Sequence, residues 1–173
     1  MATNKADIFL RISIGVLLAV LAGVIVGSLR ETVVIVGDTA PDFEITTDSG
    51  KHITRADFGG RLLVLNFWAT WCPPCVEEMP SLDEFQKRMA SSGVVVLGVS
   101  VDKSEPEYRE FLRKSKISFL TARDPQAAIS AEYGTFKYPE TYVIDSKGKV
   151  LQKHIGARLW NDEKLIQQIQ ALL

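Results

Sequence analysis

The sequence predicts an α/β domain organised around parallel strands, with a β-hairpin in front of it and one transmembrane helix ahead of both. Three observations carry this. Leu62–Phe67 and Val94–Val101 are aliphatic runs bounded by glycine or polar residues and separated by a helical stretch, the pattern of buried parallel strands joined by a crossover helix. Both cysteines of the 173-residue chain lie in one pentapeptide, Trp71-Cys72-Pro73-Pro74-Cys75, where the first run meets that helix. Ile12–Leu29 is an uncharged run of 18 residues whose only polar side chains are Ser13 and Ser28.

As a helix, the uncharged run spans about 27 Å, near the thickness of one hydrocarbon core. Lys5 and Arg11 precede it and Arg30 and Glu31 follow, a weak bias that puts the amino terminus in the cytoplasm and the domain outside. A cleavable signal peptide is the rival reading, because Val20-Leu21-Ala22 suits a cleavage enzyme. The apolar run continues through Val26, longer than a usual signal core, which favours an uncleaved anchor. Residues 1–30 thus read as cytoplasmic stub and anchor, 31–37 as linker and 38–173 as one globular domain, a length that supports a single core.

Within the domain, Phe43 and Ile45 alternate with polar residues, and Asp48-Ser49-Gly50 turns the chain toward His52 and Ile53, which makes a hairpin. Ser104 with Glu107 forms a capping box opening a helix through about Lys114, and Ile117–Leu120 suggests another short strand. Asp124-Pro125 begins a turn or brief helix. Thr141–Ile144 and Val150–Ile155 flank the hairpin signature Asp145-Ser146-Lys147-Gly148-Lys149, and Leu165, Ile166, Ile169 and Leu172 mark a closing amphipathic helix. Net charge is −1, with no block of like charge, so nothing points to nucleic acid or an acidic polymer as partner.

The cysteine spacing is that of a reversible dithiol. Pro73 follows Cys72 where a first-turn proline loses no helical hydrogen bond, which sets Cys72 at the helix amino end. The unpaired N–H groups and positive dipole end there favour the thiolate, the attacking species in disulfide exchange. Cys75 lies one turn deeper on the same face, with β-carbons about 5–6 Å apart and a disulfide within reach. A structural zinc site needs four ligands, and only the distant His52 and His154 could complete one. A haem attachment site needs histidine after the second cysteine, where Val76 stands. A purely structural disulfide closing so short a loop contributes only about 2 kcal/mol of chain entropy. No cofactor and no metal is expected.

At 100° per residue, Cys75, Met79, Leu82, Phe85 and Met89 share one arc, and Glu78 falls inside it, while Glu77 points away with Glu84 and Arg88. A carboxylate beside a thiol on an apolar face is costly unless neutral, hydrogen-bonded or wetted. Glu78 is therefore read as a general acid/base for Cys75, against the plainer reading of a half-exposed carboxylate at the stripe's edge. Trp68 and Trp71 together would make an apolar rim; the favoured alternative keeps Trp68 in the core and exposes only Trp71.

The element order resembles the thioredoxin fold. More closely, Leu65-Asn66-Phe67-Trp68-Ala69-Thr70-Trp71-Cys72-Pro73-Pro74-Cys75 with Glu78 and Pro80 resembles the membrane-anchored TlpA/ResA/CcmG group of extracytoplasmic thiol-disulfide proteins, from about Gly37 to the end of the chain. A shorter match, Tyr138-Pro139-Glu140-Thr141, is similar to CcmG, also called DsbE. Cytoplasmic thioredoxins carry a buried aspartate where this chain has Asn66, so any proton relay comes from elsewhere or is absent. Sequence alone predicts a trans bond before Pro139; the resemblance implies cis, with Trp71, Tyr138, Pro139 and Glu140 as the client-binding surface beside the catalytic Cys72, Cys75 and Glu78. Glu140 is either a second acid near the site or a solvated strand-edge carboxylate.

The resemblance implies an enzyme, a protein-disulfide reductase on the extracytoplasmic face of the cytoplasmic membrane. Its partners would be exported proteins with disulfides, such as apocytochromes c, and a membrane electron donor of the DsbD or CcdA type. A general reductase or oxidase is the nearest alternative. Asp38–Phe43 resembles the entry to peroxiredoxin-like peroxidases, which carry threonine three residues before the reactive cysteine where this chain has Ala69. A copper-binding module using the dithiol and His154 is the third.

Overall fold

The computed structural model describes residues 5–28 and 33–173, with side chains described for 8–24 of the first stretch. The chain divides into two units, helix α1 (Lys5–Ser28) belonging to the first and Val33–Leu173 forming the second. In α1 the apolar side chains, Phe9 and Leu17 among them, stand exposed. Among the described residues no helix is long and apolar enough to cross a membrane, so the span lies outside what the fold establishes. Leu29, Arg30 and Glu31, which close the expected anchor and begin the linker, lie outside the described residues.

The second unit is built on a five-stranded mixed sheet ordered β5-β4-β3-β6-β7, comprising β3 (Leu62–Trp68), β4 (Val94–Ser100), β5 (Leu120–Arg123), β6 (Glu140–Ile144) and β7 (Val150–Ile155). The β3–β4 and β4–β5 pairs are parallel; β3–β6 and β6–β7 are antiparallel. The aliphatic runs account for the centre, since every residue of β3 is buried and only a strand covered on both faces tolerates unbroken apolarity. Leu62, Val64, Asn66 and Trp68 face one side, with helices α2 (Pro73–Met89) and α5 (Glu163–Gln170). Leu63, Leu65 and Phe67 face the other, where the N-terminal extension packs Phe43, Ile45, Ile53 and Phe58 against them. Two further helices, α3 (Glu105–Ser115) and α4 (Ala128–Glu132), fill the connections between β4, β5 and β6.

The expected hairpin is β1 (Glu44–Thr46) with β2 (His52–Thr54), a separate two-stranded sheet that touches β5 through a Thr47–Ala122 bridge. Upstream of it, Thr39 bridges Lys149, and Gly37 donates to the Val150 carbonyl at 2.9 Å, so the extension begins against β7. Two local expectations fail. The strand foreseen at Ile117–Leu120 starts only at Leu120, because Lys116 ends α3 in the left-handed conformation (φ 53°) and pairing with Leu97 is first reached at Leu120. Ser104 occupies the N-cap of α3, yet its side chain makes no capping bond; Pro106 has already removed one of the two amides such a cap serves.

Gly98, opposite Asn66 in the parallel pair, is a position where size decides packing. A β-carbon there would stand 2.9 Å from Phe119 Cε2 and 3.1 Å from Trp68 Nε1. Gly98→Ala is expected to lower the unfolding free energy by about 1–3 kcal/mol through overpacking, measured as a shift in urea midpoint at unchanged slope.

Candidate active site

Strand β3 delivers the chain to Cys72, which is the N-cap of α2, with Pro73 and Pro74 in the first helical positions. Cys72 and Cys75 are closed into a disulfide, with Cα atoms 5.3 Å apart. The Cys75 N–H donates to Cys72 Sγ at 3.4 Å, so the sulfur at the helix start already sits on one of the free amides. Cys72 is 6% exposed and Cys75 fully buried. Both cysteines are thus buried in the disulfide form, Cys72 slightly less completely than Cys75.

Glu78 follows Cys75 by three residues on α2 and is 3% exposed, which rejects the edge-of-stripe reading. Three donors converge on its carboxylate. Asn66 Nδ2 reaches Oε1 at 2.8 Å, while the Arg158 backbone N–H and Trp160 Nε1 reach Oε2 at 2.9 and 3.2 Å. Desolvation pushes the Glu78 pKa up; the bonds from Arg158, Asn66 and Trp160 pull it back without cancelling that rise. Asn66 also donates to Thr141 Oγ1 at 2.9 Å, and its own Oδ1 has no partner among the described residues. Met79, Leu82, Phe85 and Met89 are buried and Glu77, Glu84 and Arg88 exposed, as the wheel requires.

The Tyr138–Pro139 bond is cis. Three segments meet here: the dithiol turn, the turn at Pro139, and the stretch after β7, whose Gly156 N–H donates to the Pro139 carbonyl at 2.8 Å. Trp71 is 63% exposed and stands edge-on to Tyr138, with centroids 6.1 Å apart; Trp68 is core, as favoured. Phe136 and Leu159 add exposed apolar surface on the two neighbouring segments.

Glu140 is placed differently from either expectation. It is wholly buried, so it is no solvated edge carboxylate, and alternation along β6 turns its side chain to the face opposite Asn66, Thr141 and Glu78. There it pairs with Lys153 Nζ at 2.7 Å and accepts the Tyr142 hydroxyl at 2.6 Å. Lys153 also donates to the Val34 carbonyl at 3.0 Å. His154 shares the Glu78 face, edge-on to Trp160 with centroids 5.6 Å apart. Burial, helped by Arg158, lowers its pKa to about 4, so it is neutral near pH 7. Among the described residues no three His, Cys, Asp or Glu side chains gather as metal ligands. The residues that sequence reasoning missed are Trp160, the Arg158 amide and Thr141. Only Thr141 had a signal, being two strand positions from Val143 on the helix-facing side.

A disulfide across the first turn of a helix, met by a cis-proline turn and backed by a mixed sheet with this strand order, is the arrangement of thioredoxin-like proteins. Within that class the chain belongs to the AhpC/TSA family, which residues 36–153 match. It is 38% identical over 131 residues to the thioredoxin-like protein YneN of Bacillus subtilis, covering 75% of this chain and 76% of that one. It is 34% identical over 127 residues to the thiol-disulfide oxidoreductase ResA of Bacillus thuringiensis subsp. konkukian, covering 73% of each. Among solved structures, a Chlorobium tepidum protein described as thiol:disulfide interchange protein DsbE superposes with a TM-score of 0.74 at 34% identity, covering 80% of this chain and 97% of that one.

The raised pKa of Glu78 carries a sign. The folded chain holds that proton to higher pH than the unfolded chain, so this group's contribution to stability falls as pH rises from the ordinary value of 4.5 through the folded value. His154 acts in the opposite sense: its depressed pKa makes stability fall as pH drops from 6.5 toward about 4. Urea unfolding of wild type and Glu78→Gln between pH 4 and 8 separates the two. The wild-type minus variant difference should decline with rising pH, whereas His154→Gln should remove the acid-side loss.

Proposed function

We propose that this protein is a membrane-tethered, extracytoplasmic thiol-disulfide oxidoreductase working as a reductant of disulfides in exported proteins. The observation that carries this is the closed Cys72–Cys75 pair at a helix start with the buried Glu78 carboxylate one turn beyond it. In the reduced protein, Cys72 thiolate attacks one sulfur of a client disulfide. The client S–S bond breaks, a mixed disulfide forms and the other client sulfur leaves as thiolate. Glu78 takes the Cys75 proton, and Cys75 attacks Cys72 Sγ; the client departs carrying two electrons and the Cys72–Cys75 bond closes. The structure shows the closed state, which a membrane electron donor of the DsbD or CcdA type would reopen. Trp71, Tyr138 and Pro139 form the docking surface, and the buried Glu140 supports the strand behind it.

The exposed apolar side chains of α1 support residues 1–30 as an anchor that holds the domain outside the cytoplasmic membrane; of the expected linker 31–37, Val33 onward already packs with the domain, Val34 being buried in its core. Similarity to ResA and DsbE, together with Asn66, Glu78 and Pro139-Glu140-Thr141, supports apocytochromes c as clients. Their thiols must stay free for haem attachment, so the couple would lie toward the reducing end of the range for such dithiols, about −270 to −120 mV.

Full-length Cys75→Ala should accumulate mixed disulfides with clients and Cys72→Ala few, read by non-reducing electrophoresis. Limiting alkylation of the reduced wild type should label Cys72 first. Equal trapping by both variants, or faster oxidation by peroxide than by a protein disulfide, overturns the reductase. A deletion strain without a redundant homologue should lose covalent haem staining of c-type cytochromes and regain it with a small thiol. Normal staining overturns the cytochrome assignment alone.

A further inference from the structure

Thr70 stands two residues before Cys72, outside any strand or helix, yet both its polar donors are fixed. Its backbone N–H donates to Asp102 Oδ2 at 2.9 Å and its hydroxyl to Asp102 Oδ1 at 2.6 Å. Asp102 lies just past the end of β4, is 1% exposed and accepts a third bond from the Ser100 hydroxyl, 2.6 Å to Oδ2. The same Ser100 oxygen accepts the Asp102 N–H at 3.0 Å, so the carboxylate is itself immobilised on the strand. Beside it, the Val101 N–H donates to the Trp68 carbonyl at 3.0 Å. The chain between β3 and Cys72 is therefore gripped by both oxygens of one buried carboxylate, 32 residues away in sequence.

We propose that Asp102 is a positioning residue for the dithiol: by clamping Thr70 it fixes the approach to α2 and holds Cys72 Sγ on the free amides of the helix start. The proposal rests on the reading of Cys72 as the attacking thiol. Its chemical logic is the short range of thiolate stabilisation at a helix end, which extends over the first turn only. A loop free to shift by an ångström loses part of it. The reduced form carries the thiolate, so that loss also makes the disulfide harder to reduce. The other charged groups around the turn are Glu77 and Glu78 on α2, Arg158 across from them, and Arg123. The Arg123 guanidinium reaches the carbonyls of Asp102 and Lys103 at 3.4 Å and pairs with Glu105 at 3.0 Å.

Two variants of the full chain test this. Asp102→Asn places an amide N–H₂ against the donors of Thr70 or Ser100, whereas Thr70→Val keeps the carboxylate and removes only the hydroxyl. Each is measured for the pH midpoint of Cys72 alkylation, the equilibrium constant with dithiothreitol, and the urea midpoint. Both variants should raise the alkylation midpoint by about one unit and make the disulfide about tenfold harder to reduce, equivalent to ~30 mV. If Asp102→Asn lowers the midpoint while Thr70→Val leaves it unchanged, Asp102 acts through its charge and the positioning role is overturned. If both change only the urea midpoint, its role is structural and the proposal is overturned as well. Should Asp102→Asn fail to fold, Thr70→Val decides alone. Labelling of Cys75 before Cys72 in the wild type would overturn both readings, whereas variant results with Cys72 labelled first bear on Asp102 alone.

Discussion

A carboxylate withdrawn from water must either give up its charge or be surrounded by donors, and at Glu78 both halves of that constraint operate. The three donors come from three places: a side chain of β3, the backbone at Arg158 and the indole of Trp160. The acid therefore fastens the dithiol helix to the central strand and to the segment after β7. Ser81, about one turn further along α2, accepts the Trp160 backbone N–H at 3.1 Å and reinforces the same junction. A carboxyl whose pKa is raised by burial, one helical turn beyond Cys75, holds its proton more tightly than an exposed one.

The sheet explains why such a junction can be rigid. β3 is enclosed by helices on one face and by the N-terminal extension on the other, so Asn66 is fixed within the core and the chain leaves β3 toward the dithiol from a packed strand. Alternation then sorts the polar residues of β6. Thr141 joins Asn66 on the helix side, while Glu140 and Tyr142 go to the extension side and form their own buried group with Lys153. Two adjacent residues after the cis-proline thus belong to two separate polar clusters, one under the disulfide and one behind it.

What was legible in the sequence was local or periodic. The cysteine pair, the first-turn prolines, the apolar arc of α2 and the strand runs other than Ile117–Leu120 each announce themselves within a few residues, and each stands where expected. The position of Glu78 on the buried arc was legible for the same reason. Its partners were not, since Asn66 and Trp160 lie 12 and 82 residues away and no periodicity links them to it. Asp102 was silent too, because a single aspartate after a strand looks like any turn residue until Thr70 is brought to it. Glu140 differs for another reason: the phase Glu140, Tyr142, Ile144 points to one face, yet its charge left a second acid near the site and a solvated edge carboxylate as the two readings, neither of them a buried pair with Lys153. The capping box at Ser104 and Glu107 matched the pattern in letters and ignored the proline between them.

Lys153 also determines how the domain would bear a pull. Tension arriving along the chain from residue 33 first meets Val34, whose carbonyl is held by the Lys153 ammonium and whose N–H donates to the Tyr133 carbonyl at 3.2 Å. The same ammonium is anchored on the Glu140 carboxylate and lies 5.0 Å from the Tyr142 ring centroid. Force is thus passed through the edge strand β7 to β6 at its first contact. A pull applied at residue 33 is therefore shared at once among a carboxylate, a backbone carbonyl and an aromatic ring, so no single weak bond carries it alone.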